Sequence, residues 1–259
     1  MTFDQEILPR IEFSSNPLKV VVAQIKFPAM FGLTEPAALA EFQSTLGRRY
    51  LNALPRIPNV TVTIDPAGQP STTTDAGPVR FESEDGLWII AIATESISLE
   101  TKGYESWADF SGRLEELMAA VPATVRPHHT TRIGLRYVDQ LQAPNVATPS
   151  DWRDYIVPGL VGGPESLIFD ERIVQGIQQL SFVMDDSVIN VRHGFVRNPA
   201  EADFPSTYVI DTDAFTEAEQ AFEWAAILER ITRYHGWAWN VFRRSLTPAA
   251  VGLLGGTEE

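Results

Sequence analysis

The spacing of apolar residues along the chain predicts a series of strands. The predicted strands are residues 19–27, 60–64, 79–84, 87–99, 131–141, 178–184, 188–196 and 208–212. Asp85-Gly86 predicts a hairpin between two of these runs, because both residues of such a turn take positive φ. A second hairpin is predicted around residues 185–187. Residues 65–77 are polar, rich in proline and glycine and without periodicity, which indicates a mobile loop.

Apolar residues that recur every three or four positions predict three amphipathic helices. The first begins after Thr34 and the second after Ser106, where Asp109 completes a pattern close to a capping box. The third and longest begins at Thr216, with Glu219 as the capping partner. A short helix follows near the end of the chain.

The strands and helices occur in groups rather than in regular βαβ units. This order favours an α+β fold, with antiparallel sheets packed against amphipathic helices, over a doubly wound parallel sheet. Each half contains a hairpin, another strand and a capped helix, so we expect two similar halves, residues 1–141 and 142–259. The alternative of one continuous domain stays open.

Composition excludes several classes of protein. The 259 residues include 44% hydrophobic positions, enough to bury a core, and no cysteine that could form disulfides or metal clusters. No apolar run reaches the ~18 residues that a membrane span needs, and the first residues do not resemble a signal peptide. We therefore expect a cytoplasmic protein without a membrane association. The net charge of −14 argues against sequence-independent binding of nucleic acid.

Several short motifs resemble those of one bacterial family. They are Asn16-Pro17-Leu18, Leu87-Trp88, Thr101-Lys102-Gly103-Tyr104, residues 134–139 and residues 242–248. Together they resemble a sporadically distributed family of uncharacterised proteins of similar length. The resemblance implies a bacterial protein, and scattered distribution is associated with defence, immunity or mobile elements. The family's strand commonly ends in asparagine where this chain has Asp139, which leaves the role of an amide there open.

Arginines on the predicted strands form the main candidate for a ligand site. Arg132 and Arg136 share one face of a strand, and neighbouring strands could add Arg192 and His193. Aligned guanidinium groups bind phosphate or carboxylate through paired hydrogen bonds. Salt bridges to the abundant acidic residues are the alternative interpretation.

Recognised catalytic and cofactor motifs are missing from the sequence. It contains no G-x-x-x-x-G-K-[ST], G-x-S-x-G or H-E-x-x-H pattern. Asp211 and Asp213 lie on one side of an extended segment and could assist a hydrolytic Mg²⁺ site, although a strand end is the simpler interpretation. We therefore expect no catalytic residues, no cofactor and no bound metal.

The sequence thus predicts a non-enzymatic binding or regulatory protein, in bacterial defence or toxin immunity, that engages a protein partner through an acidic surface. The acidic residues of that surface were expected on the long third helix; they are Glu217, Glu219, Glu223 and Glu229. The alternative is an anionic small molecule, such as a nucleotide, bound to the arginine-bearing sheet. No oligomeric state follows from the sequence.

Overall fold

The computed structural model has an α+β fold built on a nine-stranded antiparallel sheet, which confirms the predicted fold class. It describes residues 7–50, 52–64, 69–122, 125–161, 173–198 and 206–258. The first eight strands are β1 (Ile11–Phe13), β2 (Leu18–Lys26), β3 (Asn52–Leu54), β4 (Asn59–Ile64), β5 (Pro70–Asp75), β6 (Val79–Glu82), β7 (Trp88–Ala93) and β8 (Ser96–Thr101). The others are β9 (His129–Thr130), β10 (Arg132–Gln142), β11 (Gln175–Met184), β12 (Ser187–Arg197), β13 (Ser206–Thr216), β14 (Gln220–Ala221) and β15 (Gly256–Glu258).

The helices are α1 (Pro36–Leu46), α2 (Trp107–Ala120), α3 (Pro158–Val161), α4 (Trp224–Ser245) and α5 (Pro248–Leu253). The nine-stranded sheet has the order β11-β12-β13-β10-β2-β8-β7-β6-β3, and three two-stranded sheets pair β1 with β15, β4 with β5 and β9 with β14. The two sides of this sheet match in strand order. From the neighbouring strands β2 and β10 towards the two edges, one side has the order β2-β8-β7-β6 and the other β10-β13-β12-β11. In both cases the first strand pairs with the last of three consecutive antiparallel strands.

The chain divides into two compact units. Unit 1 contains Met1–Val22, Gly134–Glu217 and Ala225–Glu259, and unit 2 contains Ala23–Ile133 and Ala218–Trp224. The predicted division into residues 1–141 and 142–259 stays a prediction.

In unit 1, α4 supplies most of the helical side of the core. Apolar and aromatic residues at helical spacing are buried, among them Ile227, Ile231 and Trp237. Polar groups on this interface are paired: Tyr234 Oη lies 2.8 Å from Ser187 Oγ at the start of β12. Gly236 lies inside the continuous helix.

In unit 2, α1 and α2 pack their aromatic residues on the sheet. Phe42 contacts Phe81 with ring centroids 5.8 Å apart, and Trp88 contacts Phe110 at 5.9 Å. Helix α2 begins as predicted, because Ser106 Oγ accepts a hydrogen bond from the amide of Asp109.

Both predicted hairpins are confirmed, with one difference in turn geometry. The β11–β12 hairpin turns through Asp185, whose φ is 52°. At the β6–β7 hairpin only Gly86 has a positive φ, 71°. Its amide donates a hydrogen bond to the carbonyl of Ser83 at 3.0 Å. The turn is therefore wider than the two-residue turn expected from Asp85-Gly86, and Asp85 instead accepts a bond from the Ser83 hydroxyl.

The predicted start of the longest helix is wrong. Thr216 ends β13, and its hydroxyl donates to the carbonyl of Asp186 at 2.8 Å instead of capping a helix. Helix α4 begins eight residues later at Trp224. The capping-box pattern is overridden here because pairing with β12 extends β13 through Phe215 and the Thr216 hydroxyl bonds Asp186.

Three other elements differ from the sequence prediction. The run 87–99 is two strands, because Thr94 and Glu95 turn the chain between β7 and β8. The predicted loop includes β5, which pairs with β4, while residues 65–68 lie outside the described residues. The apolar spacing predicts that the first helix continues to Ala53, but α1 ends at Leu46, just before Gly47, which has a φ of 66°.

Candidate binding site

Two of the predicted arginines meet around one carboxylate in unit 1. Strands β12 and β13 pair so that Arg192 lies directly opposite Asp211. Arg136 donates two hydrogen bonds to Asp211, from Nε to Oδ1 and from an Nη to Oδ2, both 2.7 Å long. Arg192 stands further away, with an Nη 3.9 Å from Oδ2. The guanidinium of Arg136 thus binds the carboxylate of Asp211 in the bidentate geometry, which fixes the relative orientation of the two groups.

Burial distinguishes these three side chains. The side chain of Asp211 is only 10% exposed, whereas those of Arg136 and Arg192 are 46% and 56% exposed. Asp211 is therefore shielded from water and depends on Arg136 for compensation, while Arg192 keeps most of its contact with solvent. The salt-bridge interpretation accounts for Arg136, and Arg192 is the more accessible guanidinium.

His193 lies on the other face of the sheet. Successive residues of a strand point to opposite sides, so the exposed Arg192 is followed by a buried His193. Its Nδ1 is 3.0 Å from Tyr208 Oη, and that hydroxyl donates to the carbonyl of Leu160 at 3.1 Å. Because the hydroxyl proton of Tyr208 goes to Leu160, Nδ1 of His193 is the donor in the contact with Tyr208. Burial lowers the pKa of His193. His193 therefore does not join the arginine cluster.

Arg132 makes a separate contact in unit 2. An Nη of Arg132 donates to Gln24 Oε1 at 3.3 Å, and the side chain is half-buried. Of the four residues predicted from sequence, the structure thus brings Arg136 and Arg192 together in unit 1.

Asp139 is a buried acid that sequence reasoning did not include in the site. Its side chain is almost fully buried, and burial together with the negative charge of Asp211 raises its pKa to about 8. At neutral pH it is therefore mainly protonated and carries a hydroxyl donor and a carbonyl acceptor, the same pair of functions as an amide. The sequence contained one signal for a neutral side chain here, because the bacterial family that the chain resembles commonly has asparagine at this position.

With Asp139 neutral, the cluster of Arg136, Arg192 and Asp211 has a charge of about +1. This arrangement can hold one further anionic group beside Arg192. Asp213 pairs in register with Asn190 further along β13. Across the parts of the chain that the structure describes, no group of three or more His, Asp or Glu side chains is arranged to hold a metal ion.

The four glutamates assigned to an acidic surface are all exposed. Their predicted position on one helix is wrong, because only Glu229 lies in α4. Glu217, Glu219 and Glu223 lie between or beside short elements before the helix begins. None of the helices in the described segments combines the length and the apolar character of a membrane span.

Comparison of the sequence with protein-family models finds no matching family, and comparison with curated proteins finds no match. The resemblance to a sporadically distributed bacterial family therefore stays a prediction.

Proposed function

We propose that the protein is a non-enzymatic binding or regulatory protein that engages a basic protein partner through an acidic surface, in bacterial defence or toxin immunity. A cytoplasmic location is part of this proposal. The net charge of −14 and the exposure of the four glutamates support it, because such a surface attracts basic proteins. Of these glutamates, Glu217 lies next to the β11–β12 turn, because the preceding Thr216 donates to the carbonyl of Asp186. The turn residues Asp185 and Asp186 face Arg233 and Arg230 of α4.

The observation that carries this proposal is the exposed edge strand β11. It stands last in the sheet order, so one edge has no partner strand within the described chain. Val183 is 73% exposed and Leu180 47% exposed, although both are large and apolar. Natural proteins usually shield such edges, because an unpaired strand can add a strand from another chain. Backbone pairing at β11 and the acidic groups near its turn would together hold a basic partner.

The first test measures capture of a partner by the protein from extracts of its host. We expect capture at about 0.05 M salt and loss at about 0.5 M salt, because screening weakens pairing of exposed charges. The double variant Leu180→Glu and Val183→Glu should abolish capture. Ile57→Glu is the matched control, since Ile57 is also exposed but lies outside β11.

If the double variant in β11 captures the partner as well as the parent protein does, β11 is not the binding surface. Absence of any captured protein at either salt concentration would contradict the proposed function. Circular dichroism of each variant establishes that the comparison is made between folded proteins.

The internal repeat expected from sequence is also a proposal. It is supported by the matching order β2-β8-β7-β6 and β10-β13-β12-β11. In this interpretation β11 and β6 are corresponding strands. Of these two strands, only β6 has a further strand, β3, paired on its outer side, so β11 is an edge strand of the sheet and β3 forms the opposite edge.

Arg192 favours a second candidate function, the binding of a phosphate-containing small molecule on the sheet. Its guanidinium is more than half exposed and lies beside the ion pair of Arg136 and Asp211. A phosphate group could approach Arg192 from solvent without displacing that pair. A hydrolytic version would use Asp211 and Asp213 with Mg²⁺.

The second test measures binding of ATP with Mg²⁺ by calorimetry, together with release of inorganic phosphate. We expect Arg192→Gln to weaken binding about tenfold, because one charge-assisted contact is lost. Arg153→Gln removes the same charge from another exposed position of unit 1 and should bind as the parent protein does. Equal affinity in both variants, or no binding of ATP, would argue against the sheet site; phosphate release would establish the hydrolytic version.

A further inference from the structure

Strand β11 stands at one edge of the nine-stranded sheet and lacks the features that usually protect an edge strand. Such strands are usually very short, or they carry charged residues or proline. The ten residues of β11, QGIQQLSFVM, include neither a charged residue nor a proline. The strand at the opposite edge, β3, is only three residues long. Of these two edges in the described chain, β11 is therefore the one that can pair with a strand of another molecule.

The backbone groups that β11 presents at the edge follow from its pairing with β12. The amide of Arg197 donates to the carbonyl of Val174 at 2.8 Å, and the register then runs unbroken to Met184. Hydrogen-bonded residues alternate along an antiparallel strand, so the even-numbered residues of β11 bond β12. The N–H and C=O groups that point outward belong to Gln175, Ile177, Gln179, Ser181 and Val183.

The side chains of β11 match those of a second, antiparallel copy of the strand when Leu180 lies on the two-fold axis. On the face that carries Val183, this register places Ile177 opposite Val183 and Gln179 opposite Ser181. Apolar residues thus meet apolar residues, and polar residues meet polar residues. At the axis Leu180, which is 47% exposed, meets its own copy. The Leu180 pair lies between hydrogen-bonded pairs, with Cα atoms about 4.5 Å apart, so its side chains are in contact.

Charge is compatible with this arrangement although the net charge of −14 opposes self-association. In the antiparallel register Asp185 lies beside Gln175 of the second copy. The two acidic β11–β12 turns are then separated by about ten residues of strand, or about 34 Å. This is several times the Debye length of about 8 Å at physiological ionic strength. Because β11 itself is neutral, no like charges face each other along the contact.

We propose that, in the absence of its partner, the protein forms a symmetric dimer in which β11 pairs antiparallel with β11 of a second copy and Leu180 lies on the two-fold axis. This inference rests on the proposed function in one respect: the partner and the second copy use the same edge, so they exclude each other. The dimer shields the exposed edge until the partner is present. A two-fold contact of this kind closes after two copies, so it produces dimers rather than fibres.

Dimerisation is tested by sedimentation velocity of the full chain between about 1 and 100 μM. We expect a species of twice the 28.7 kDa mass of the chain, and its fraction should rise with concentration. Leu180→Glu places two like charges opposite each other and should weaken dimerisation at least about tenfold. Ile57→Glu is the matched control and should dimerise as the parent does, because Ile57 is exposed outside β11. A parent protein that remains monomeric, or equal dimerisation of Leu180→Glu and the parent, would overturn the proposal.

The register is tested with a single introduced cysteine, because the chain has none of its own. Leu180→Cys brings two sulfur atoms together at the axis, at a Cα separation that suits a disulfide, so oxidation should link most of the protein into covalent dimers. Val183→Cys is the matched control within the strand. Val183 is more exposed, at 73%, but lies opposite Ile177 of the second copy, so this variant should link poorly. Equal linking of the two variants, or none with Leu180→Cys, would overturn the proposal.

Capture of a partner from host extract separates this inference from the proposed function. The oxidised Leu180→Cys dimer should capture no partner, whereas the same protein after reduction should capture it. Equal capture by the two forms would show that partner and second copy do not share the edge, which overturns the inference. Absence of capture by both forms, with the disulfide formed, would contradict the proposed function while supporting the dimer.

Discussion

Replacing Asp139 with asparagine is expected to raise the free energy of unfolding by roughly 5 kcal/mol near pH 7.5, although most substitutions of buried residues destabilise. Burial, and after it the charge of Asp211, raises the pKa of Asp139 from 3.8 to about 8 in the folded protein. Asparagine keeps the shape and the two hydrogen-bonding functions of the protonated acid. It has no proton to lose.

The pH dependence of this effect has a definite sign. Between about pH 4 and pH 8 the folded protein keeps the proton of Asp139, while the unfolded chain releases it. The folded state then binds more protons, so the contribution of Asp139 to stability falls as pH rises through this window. The loss is at most about 1.4 kcal/mol for each pH unit. Near pH 4 the parent and Asp139→Asn should therefore differ little.

Urea unfolding at several pH values checks this prediction. The difference in stability between Asp139→Asn and the parent should grow from about pH 4 to about pH 8 and then become constant. Asp154→Asn is the matched control, because it removes the same charge from an exposed position. A difference that is independent of pH would show that Asp139 is ionised in the folded protein.

Arg136→Leu is expected to lower the free energy of unfolding by about 3 kcal/mol. Asp211 is 90% buried, and Arg136 supplies both of its 2.7 Å hydrogen bonds. Without that guanidinium, the carboxylate is left with Arg192 at 3.9 Å. The cost arises mainly from an uncompensated buried charge rather than from the loss of the attraction itself.

Arg192→Leu provides the matched comparison, because it removes the second arginine facing the same carboxylate. We expect a loss below about 1 kcal/mol, since Arg192 is solvated and distant. The double variant Arg136→Leu with Asp211→Leu should recover part of the stability lost in Arg136→Leu. Equal losses for the two arginine variants in urea unfolding would contradict the assigned difference between them.

Local patterns predicted much of the fold because they describe interactions between residues close in sequence. Ser106 caps α2 and the turn at Asp185 joins two strands, since each depends on four or five neighbouring residues. The same kind of pattern failed at Thr216, where pairing with a distant strand decided the conformation. It failed again at Thr94-Glu95, where a turn interrupts a run of strand-forming residues.

The candidate sites depend on pairings that no local pattern contains. Sequence placed Arg136 and Arg192 on strands, but only the register of β12 and β13 places Arg192 opposite Asp211, and only the position of β10 beside β13 brings Arg136 to the same carboxylate. The burial of Asp139 follows from the elements packed around it. Arg10 lies over Trp239 and beside His235 of α4, a contact that requires the whole tertiary structure.

Pairing of β1 with β15 also has a consequence for synthesis of the chain on the ribosome. Ile11 lies opposite Glu258, and the amide of Leu8 depends on Asn240. Leu8 is translated 232 residues before its partner Asn240. Residues 7–13 must therefore wait until α4 and β15 have been made before they can dock. A fluorescent probe at Arg10 should report this docking only after α4 has left the exit tunnel.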